Sequence, residues 1–411
     1  MPAIFHHLIA SVLLGTAVLH AAPEEAWDGT MLKSVPEVFP AESIHATDER
    51  IRALFFSSVP YQDKTTRVFA WLGVPRLPEG KRAPGIVLLH GGGGTAFESW
   101  VKLWLDRGYA AIAIDHSGGL PLPQDANPRP RNPQGGPLGG GSVFSQLDEP
   151  VGDQWPFHAV AAASRALSLL RAEPGVDPGR IGVTGISWGG YLTCLFAGVD
   201  DRLRFAIPVY GCGFYDDTIF SGMLEKLPSD QSSLWWRQWD ASLYLPSVRI
   251  PMLWVNGTND HFFWLPAWHR STAAVDPAFC TRSLKVAMPH GHPPAGDPPE
   301  VLAFADSVVC GAQPLARMQR CERRGNEVTV AFQSARPVLH AVLHFTKDAT
   351  GPWEGRVWQS APAIVNGDKA TAVLPDGVAA YFMNLADDQG CIVSSEHKFL
   401  ASAHSSIQNP P

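Results

Sequence analysis

RIGVTGISWGGYLTCLFAG, residues 180–198, contains a Gly-x-Ser-x-Gly motif between two apolar runs. The first run, Ile181–Thr184, is typical of a buried strand, and the second, from Tyr191 to about Val199, is long enough for a helix. A serine on a sharp turn between a strand and a helix presents its hydroxyl outward, and glycines two residues to either side let the two elements approach each other. The motif in this setting therefore predicts that Ser187 is a nucleophile.

The surrounding pattern indicates an α/β fold. From about residue 67 to residue 309, short apolar runs alternate with segments of helical length, such as Ala159–Arg171 and Pro298–Val309. The predicted strands are Gly85–Leu89, Ala110–Ile114, Ile181–Thr184, Phe205–Val209, Met252–Val255 and Leu284–Ala287. This alternation predicts a mostly parallel sheet with helices on both faces.

The sequence changes character after Gly311. Four strand-like segments follow without a helix between them, namely Glu327–Phe332, Val338–Phe345, Ala370–Leu374 and Ala379–Asn384. Their spacing predicts a small, sandwich-like, all-β domain. The chain thus divides into a predicted signal peptide (1–22), a catalytic domain (23–311), a β-rich domain (312–400) and a disordered tail (401–411).

Composition limits the classes of function. The 411 residues exceed the size of one ordinary core, which agrees with two folded domains. A net charge of -7 and the lack of a basic run argue against a nucleic-acid partner. The apolar stretch from about Leu8 to Leu19 is too short to span a membrane and precedes Ala21 and Ala22, as in a signal peptide. No later segment suits a membrane span, so we expect a secreted or periplasmic protein.

The six cysteines leave two alternatives open. An even number in an exported chain permits disulfides, and Cys310 and Cys321 flank the domain junction closely enough to close a short loop. Buried free thiols fit equally well. Because the chain has neither a Cys-x-x-Cys nor a His-Glu-x-x-His motif, we expect no metal and no other cofactor.

A glycine-rich stretch, His90–Gly94, closes the predicted strand Gly85–Leu89. It lies upstream of Ser187, where a loop that stabilises an oxyanion belongs. Glycines allow backbone N–H groups to point at a developing negative charge. We expect the amides of Gly92 and Trp188 to be these donors, whereas a phosphate-binding loop would end in Gly-Lys-Ser/Thr, which is missing here.

The nucleophile needs a base and an orienting acid, which follow it along the chain in this type of site. Met252–Val255 leads into Asn-Gly-Thr-Asn-Asp260, which places an acid in a turn after a strand. Asp260 is therefore the predicted acid. Asp115 also follows a strand, but it precedes Ser187 and has the wrong order.

Two histidines compete for the role of base, His290 and His292, in the stretch Met-Pro-His-Gly-His-Pro. His292 follows a glycine and precedes prolines, so its loop has the freedom to swing over a cleft. We favour His292 and keep His290 as the alternative. Two long insertions, 116–150 and 211–248, are expected to form the walls of this cleft.

RIGVTGISWGGYLTCLFAG, the turn NGTND and the loop LKVAMPHGH together resemble the acetyl xylan esterase/cephalosporin C deacetylase branch of the α/β-hydrolases, which also includes dienelactone-hydrolase and peptidase relatives. The resemblance covers about residues 60–310. It implies a Ser-His-Asp triad in which the histidine follows a glycine, as His292 does. Where that branch usually has glutamine after the serine, this chain has Trp188.

These observations favour a serine carboxylic-ester hydrolase that removes acyl groups from a carbohydrate, either a small molecule or a polysaccharide. Aromatic residues after Asp260 would contact that substrate or pack in the core; they are Phe262, Phe263, Trp264 and Trp268. A peptidase or dienelactone-type hydrolase with the same triad is the first alternative. A non-catalytic carbohydrate-binding protein on a hydrolase scaffold is the second. The sequence does not determine the oligomeric state.

Overall fold

The computed structural model describes residues 29–121, 130–292 and 298–400. The expected signal peptide (1–22) and tail (401–411) lie outside these residues. In the part of the chain that is described, no helix is long and apolar enough to cross a membrane.

Nine strands form the first sheet: β1 (Val38–Pro40), β2 (Ile51–Tyr61), β3 (Lys64–Gly73), β4 (Ala83–Leu89), β5 (Ala110–Ile114), β6 (Val176–Ile186), β7 (Ala206–Val209), β8 (Met252–Gly257) and β9 (Cys280–Lys285). They lie in the order β1-β2-β3-β5-β4-β6-β7-β8-β9. The six strands from β5 to β9 in this order run parallel, whereas β1, β2 and β3 are antiparallel. Both β4 and β5 are buried along their whole length, as expected for apolar strands covered on two faces.

Among the residues that the structure describes, eight α-helices accompany this sheet: α1 (Gly29–Lys33), α2 (Glu98–Asp106), α3 (Trp155–Ala172), α4 (Trp188–Val199), α5 (Ser221–Leu224), α6 (Ser229–Leu234), α7 (Leu265–Ala274) and α8 (Pro299–Val309). The long helices α3 and α4 pack against each other and against the central strands. Helices α2 and α8 approach each other where Arg107, just after α2, forms an ion pair with Asp306 of α8. This arrangement confirms the predicted α/β architecture.

The N-terminal hairpin β2–β3 is absent from the sequence-based expectations. Its two-residue turn consists of Gln62 and Asp63, with φ values of 49° and 60°. Such turns are usually recognised by Asn-Gly or Asp-Gly, and this one contains no glycine. The predicted strand Leu284–Ala287 is also shifted: β9 ends at Lys285, and Ala287 turns the chain with a φ of 54°.

Apart from a short 3-10 turn at Trp353–Gly355, the described residues of the C-terminal part form strands: β10 (Arg317–Arg324), β11 (Glu327–Gln333), β12 (Val338–Thr346), β13 (Trp358–Asn366), β14 (Lys369–Val373), β15 (Ala380–Asp387), β16 (Ile392–Ser394) and β17 (Lys398–Phe399). They follow the order β10-β11-β14-β13-β12-β15-β16, with β17 beside β15, and all pairs are antiparallel. Burial alternates along β11, so that Val328, Val330 and Phe332 face inward. The expectation of an all-β C-terminal domain is confirmed.

The two sheets share one hydrophobic core, and β16 lies against β9, the edge strand of the first sheet. All six cysteines are free thiols, and Cys310 and Cys321 are not bonded to each other. The union of the two parts therefore rests on packing and hydrogen bonds. This matters for the site, because β9 leads directly to the candidate histidines.

Candidate active site

Ser187 lies on the turn between β6 and α4, where its backbone has a φ of 60° and a ψ of −119°. Such a conformation costs about 1–3 kcal/mol for a residue with a side chain and persists only where its surroundings enforce it. The Ser187 N–H donates to the Val209 carbonyl of β7 at 2.9 Å. The serine is thus held between the two central strands and the start of a helix.

The glycines of the motif are required by backbone contacts. A Cβ atom on Gly185 would lie 2.1 Å from the Gly189 carbonyl oxygen. One on Gly189 would lie 2.0 Å from the Leu89 carbonyl oxygen at the end of β4. Since these obstacles are backbone atoms, no side-chain movement relieves them. The spacing of Gly-x-Ser-x-Gly follows from this close approach of β4, β6 and α4.

Asp260 follows β8 in a tight turn, and its side chain is fully buried. One carboxylate oxygen, Oδ1, accepts the backbone N–H groups of Phe262 at 2.9 Å and Phe263 at 2.7 Å. The other, Oδ2, lies 2.6 Å from His290 Nδ1. The carboxylate is therefore fixed at both oxygens and oriented toward one imidazole.

The histidine that contacts Asp260 is His290, whereas the sequence analysis favoured His292 for this position and kept His290 as the alternative. Nδ1–H of His290 donates to the carboxylate, which leaves Nε2 as the acceptor nitrogen. The ring of His292 instead stacks on Phe97 with a centroid distance of 4.8 Å, and it meets Trp100 edge-on at 4.9 Å. The contacts of each ring with neighbouring side chains determine which histidine meets Asp260, and the flexibility of the Gly-His-Pro loop does not.

Tyr210, directly after β7, is a residue that the sequence analysis missed. Its hydroxyl donates to the Pro289 carbonyl at 2.7 Å, and its ring stacks on His290 with a centroid distance of 4.4 Å. Burial and the nearby charge of Asp260 raise the pKa of Tyr210 above its usual value, so the phenol stays protonated and remains a donor. The backbone of Tyr210 has a φ of 65°, a left-handed conformation that is uncommon for a residue with a side chain. No sequence motif marks this position.

The loop His90–Gly94 lies beside the serine. A Cβ atom on Gly91 would be 3.2 Å from Ser187 Cβ, and one on Gly92 would be 2.5 Å from Trp188 Cδ1. Both residues named as oxyanion donors, Gly92 and Trp188, line the same cavity as Ser187. Trp188 is the first residue of α4, so its N–H has no acceptor within the helix.

Two buried histidines fix the peptide planes of this loop. His116 Nε2 donates to the His90 carbonyl at 2.9 Å, and His90 Nδ1 donates to the Gly91 carbonyl at 2.7 Å. The two imidazoles stack with centroids 3.8 Å apart. Because the C=O and N–H of a trans peptide point in opposite directions, fixing the Gly91 carbonyl directs the Gly92 N–H away from the His90 ring.

Asp115, the other candidate acid, forms its hydrogen bonds near the loop His90–Gly94 and does not contact His290. It accepts the Thr95 hydroxyl at 3.0 Å and the N–H groups of Ser117 at 3.1 Å and Gly119 at 2.9 Å. Its Oδ1 lies 4.0 Å from His90 Nε2. Asp115 therefore orders the turn after β5.

A cavity of about 500 Å³ contains Ser187 and His290. Its apolar walls include Phe97, Phe220 and Phe262, together with the side chain of Trp188. Of the expected walls, 116–150 contributes Gly140 and Gly141, and 211–248 contributes Phe220. Four other aromatic residues are buried in the core and do not line the cavity, namely Trp235, Trp239, Phe263 and Trp268, while Trp264 is partly buried.

The chain is similar to several known proteins. Residues 23–215 match the model of the acetyl xylan esterase family (AXE1), a stretch that includes Ser187 and ends before Asp260. A curated relative, described as the uncharacterized peptidase YuxL of Bacillus subtilis (strain 168), is 26% identical over 209 residues. That alignment covers 47% of this chain and 28% of the relative, so the chain spans little more than a quarter of the relative's length.

Two solved structures share the fold. Acetyl xylan esterase 1 from Thermoanaerobacterium sp. JW/SL YS485 is 17% identical, with a TM-score of 0.50, and the match covers 71% of this chain and 95% of that one. The acetyl xylan esterase from Paenibacillus sp. R4 is 19% identical, with a TM-score of 0.54, and the match covers 68% and 91%. Together, these comparisons show that the chain has the α/β-hydrolase fold and that its residues 23–215 are similar to the acetyl xylan esterase family.

Proposed function

We propose that the chain hydrolyses carboxylic esters with Ser187 as nucleophile, His290 as general base and Asp260 as orienting acid. The observation that carries the proposal is the buried carboxylate of Asp260, 2.6 Å from His290 Nδ1, in a cavity that also contains Ser187. An imidazole held at Nδ1 presents Nε2 to a proton donor. A serine in a strained turn at the mouth of the same cavity is the matching nucleophile.

The reaction runs in two halves. Ser187 Oγ attacks the ester carbonyl while its proton passes to His290 Nε2, and the carbonyl oxygen becomes an oxyanion held by the N–H groups of Gly92 and Trp188. The C–O bond to the alcohol then breaks, and the alcohol leaves with the proton from His290. Water attacks the resulting acyl-serine with His290 again as base, which releases the acid and restores Ser187.

The proposed substrate is a small acyl ester on a carbohydrate. The apolar walls of the cavity, Phe97, Trp188, Phe220 and Phe262, suit a short acyl group and the flat face of a sugar ring. The match to the acetyl xylan esterase family supports an acetyl group. The relative described as a peptidase favours amide hydrolysis as the second candidate.

A panel of substrates and three variants tests the proposal. The wild type, Ser187→Ala, His290→Ala and His292→Ala are assayed on p-nitrophenyl acetate, acetylated xylo-oligosaccharides, a dienelactone and aminoacyl p-nitroanilides. We expect ester hydrolysis by the wild type, a loss of about 10⁴-fold or more in kcat for Ser187→Ala and His290→Ala, and a loss of no more than about 10-fold for His292→Ala.

Each other outcome has a definite meaning. Activity on amides alone would replace the esterase assignment with a peptidase. Loss of activity in His292→Ala with retention in His290→Ala would overturn the choice of base. A fluorophosphonate that labels folded wild type but not Ser187→Ala would confirm an activated serine, whereas absence of labelling would favour a carbohydrate-binding protein without catalysis.

A further inference from the structure

The C-terminal domain reaches the turn that carries Asp260. Asn259, the residue before the acid, donates from Nδ2 to the carbonyl oxygens of Glu354 at 3.0 Å and Arg356 at 2.8 Å. Both acceptors lie in the loop that connects β12 and β13, two strands of the second sheet. Since a side-chain amide has two N–H donors, both are committed to the C-terminal domain.

The other end of the same amide leads toward His290. Asn259 Oδ1 accepts the Thr258 hydroxyl at 2.7 Å, and the Thr258 oxygen accepts the N–H of Ala287 at 3.1 Å. Ala287 lies three residues before His290, where its φ of 54° turns the chain out of β9. One chain of hydrogen bonds thus connects the C-terminal domain, the turn of the acid and the segment of the base.

A second set of contacts holds β9 itself. The N–H of Leu284 donates to Ser394 Oγ at 2.7 Å, and its carbonyl accepts Asn384 Nδ2 at 3.0 Å. Ser394 in turn donates to Asn384 Oδ1 at 2.6 Å. Because β9 is the edge of the first sheet, these side chains satisfy backbone groups that a neighbouring strand would otherwise pair.

The loop that receives Asn259 is itself well anchored. The guanidinium carbon of Arg356 lies 3.4 Å from the centroid of the Trp353 ring, and Trp353 packs edge-on against Phe399 at 5.2 Å. Both Trp353 and Arg356 are less than one tenth exposed. The loop whose carbonyls accept from Asn259 is therefore held by packing of its own, independently of the acid turn.

We propose that the C-terminal domain keeps the acid and the base of the site aligned through Asn259, which makes Asn259 a positioning residue for catalysis. This inference rests on the proposed function of Ser187, His290 and Asp260. A hydrogen bond of 2.6 Å between Asp260 and His290 tolerates little displacement, and a shift of about 1 Å in a reacting group costs on the order of 100-fold in rate. The domain supplies the rigidity that two loops at a sheet edge lack.

Two variants break the connection at different points. Asn259→Ala removes the bonds to Glu354 and Arg356, and Thr258→Val keeps the shape of the side chain while removing its hydroxyl. For both we expect kcat on p-nitrophenyl acetate to fall about 10-fold to 100-fold with KM changed less than about 3-fold. The pH–rate profile is also expected to differ from that of the wild type, because a change confined to stability would leave it unmoved.

Asn326→Ala is the matched control, because Asn326 Nδ2 donates to Asp376 Oδ1 at 3.1 Å within the C-terminal domain and away from the site. It should lower thermal stability slightly and leave kcat and the pH profile unchanged. Circular dichroism checks that each variant is folded at the assay temperature. Wild-type kcat and pH profile in folded Thr258→Val and Asn259→Ala would overturn the inference.

The failure of this inference is distinguishable from failure of the proposed function. If Ser187→Ala retains hydrolysis, the proposed function is wrong whatever Asn259 does. If Ser187→Ala is inactive while both positioning variants behave as wild type, only the role of the C-terminal domain is wrong. If Asn259→Ala does not fold, Thr258→Val alone decides, since it leaves the contacts to Glu354 and Arg356 intact.

Discussion

Ser187 and His290 line one cavity but are held in place by different means. The serine is fixed by backbone contacts of its own turn, where Gly185 and Gly189 meet neighbouring carbonyls with no room for a side chain. The histidine is fixed by side chains that are distant in sequence, chiefly Asp260 and Tyr210. One position depends on local backbone shape and the other on contacts between separate loops.

The difference explains why the sequence points directly to Ser187 but leaves His290 as one of two candidate bases. Steric demands within a turn leave a motif, because only glycine satisfies them at fixed spacing. Contacts between loops leave no such trace, because many residues at many positions can supply a carboxylate, a hydroxyl or a ring. We therefore expect substitutions at the serine turn to be all-or-none and those around the histidine to be graded.

The largest effect is expected for Gly189→Ala. The new Cβ atom would lie 2.0 Å from the Leu89 carbonyl and 2.6 Å from that of His90, so β4 and α4 would have to separate. Overpacking of this kind typically costs about 1–3 kcal/mol where side chains yield, and more where only backbone is in the way. We expect hydrolysis to be undetectable and the midpoint of urea unfolding to fall sharply.

Gly222→Ala is the control for this change, since a Cβ atom there meets nothing within 4 Å. It should fold and hydrolyse like the wild type. A stable and active Gly189→Ala would mean that the serine turn is not held by close backbone approach. The proposed difference between the support of Ser187 and that of His290 would then be wrong.

An intermediate effect is expected for Tyr210→Phe. This variant keeps the ring stacked on His290 but loses the hydrogen bond from the hydroxyl to Pro289. A lost buried hydrogen bond costs about 1 kcal/mol, and the freed loop should also lower kcat by roughly 10-fold while KM stays the same. Steady-state kinetics and urea unfolding measure the two parts separately.

Tyr109→Phe is the control for this variant. It distinguishes the effect of losing a buried hydroxyl from the effect of displacing the loop that carries His290. The Tyr109 hydroxyl donates to Asp306 Oδ1 at 2.8 Å, remote from the cavity. Its removal should lower stability and leave kcat unchanged. If Tyr210→Phe shows the same pattern, the loop of His290 needs no support from the Tyr210 hydroxyl and is held by its other contacts.

The same distinction, between local sequence signals and contacts between distant segments, determines how much of the fold the sequence predicts. Buried strands such as β4 and β5 are continuous apolar runs and were identified nearly to the residue. The hairpin β2–β3 escaped because its turn, Gln62-Asp63, carries no glycine signal. Its strands were lost with the turn.

The site divides in the same way. Ser187 and Asp260 follow strands within recognisable turns, and the structure places Ser187 at the cavity and Asp260 against a histidine. The choice between His290 and His292 needed the positions of Tyr210 and Phe97, which come from other segments of the chain. Asn259 carries no motif either, because its partners are backbone carbonyls of another domain. Tertiary contacts without a sequence signature account for each of these omissions.

The smallest effect on activity is expected for His158 of α3, which belongs to neither arrangement and affects stability instead. Burial lowers the pKa of His158 to about 4, against an opposing hydrogen bond to the Gly152 backbone and the charge of Asp153. Because the unfolded chain then binds the proton more readily below pH 6.5, the stability from this residue is complete above that pH and is lost as the pH falls toward 4. Between pH 7 and pH 5 the loss amounts to about 2 kcal/mol.

Replacing His158 by glutamine removes this proton, so the free energy of unfolding of His158→Gln should fall less between pH 7 and pH 5 than that of the wild type. Urea unfolding at the two pH values measures the difference, and hydrolysis at pH 7 should be unchanged because His158 does not line the cavity of Ser187. If the free energy of unfolding falls equally in both proteins, another buried imidazole is responsible for the acid sensitivity. His397 is then the next to test, since burial also lowers its pKa well below the usual value and it packs on Trp268 and His269. In that event acid would first loosen the contact between the two domains, and through it the graded support of His290 rather than the rigid turn of Ser187.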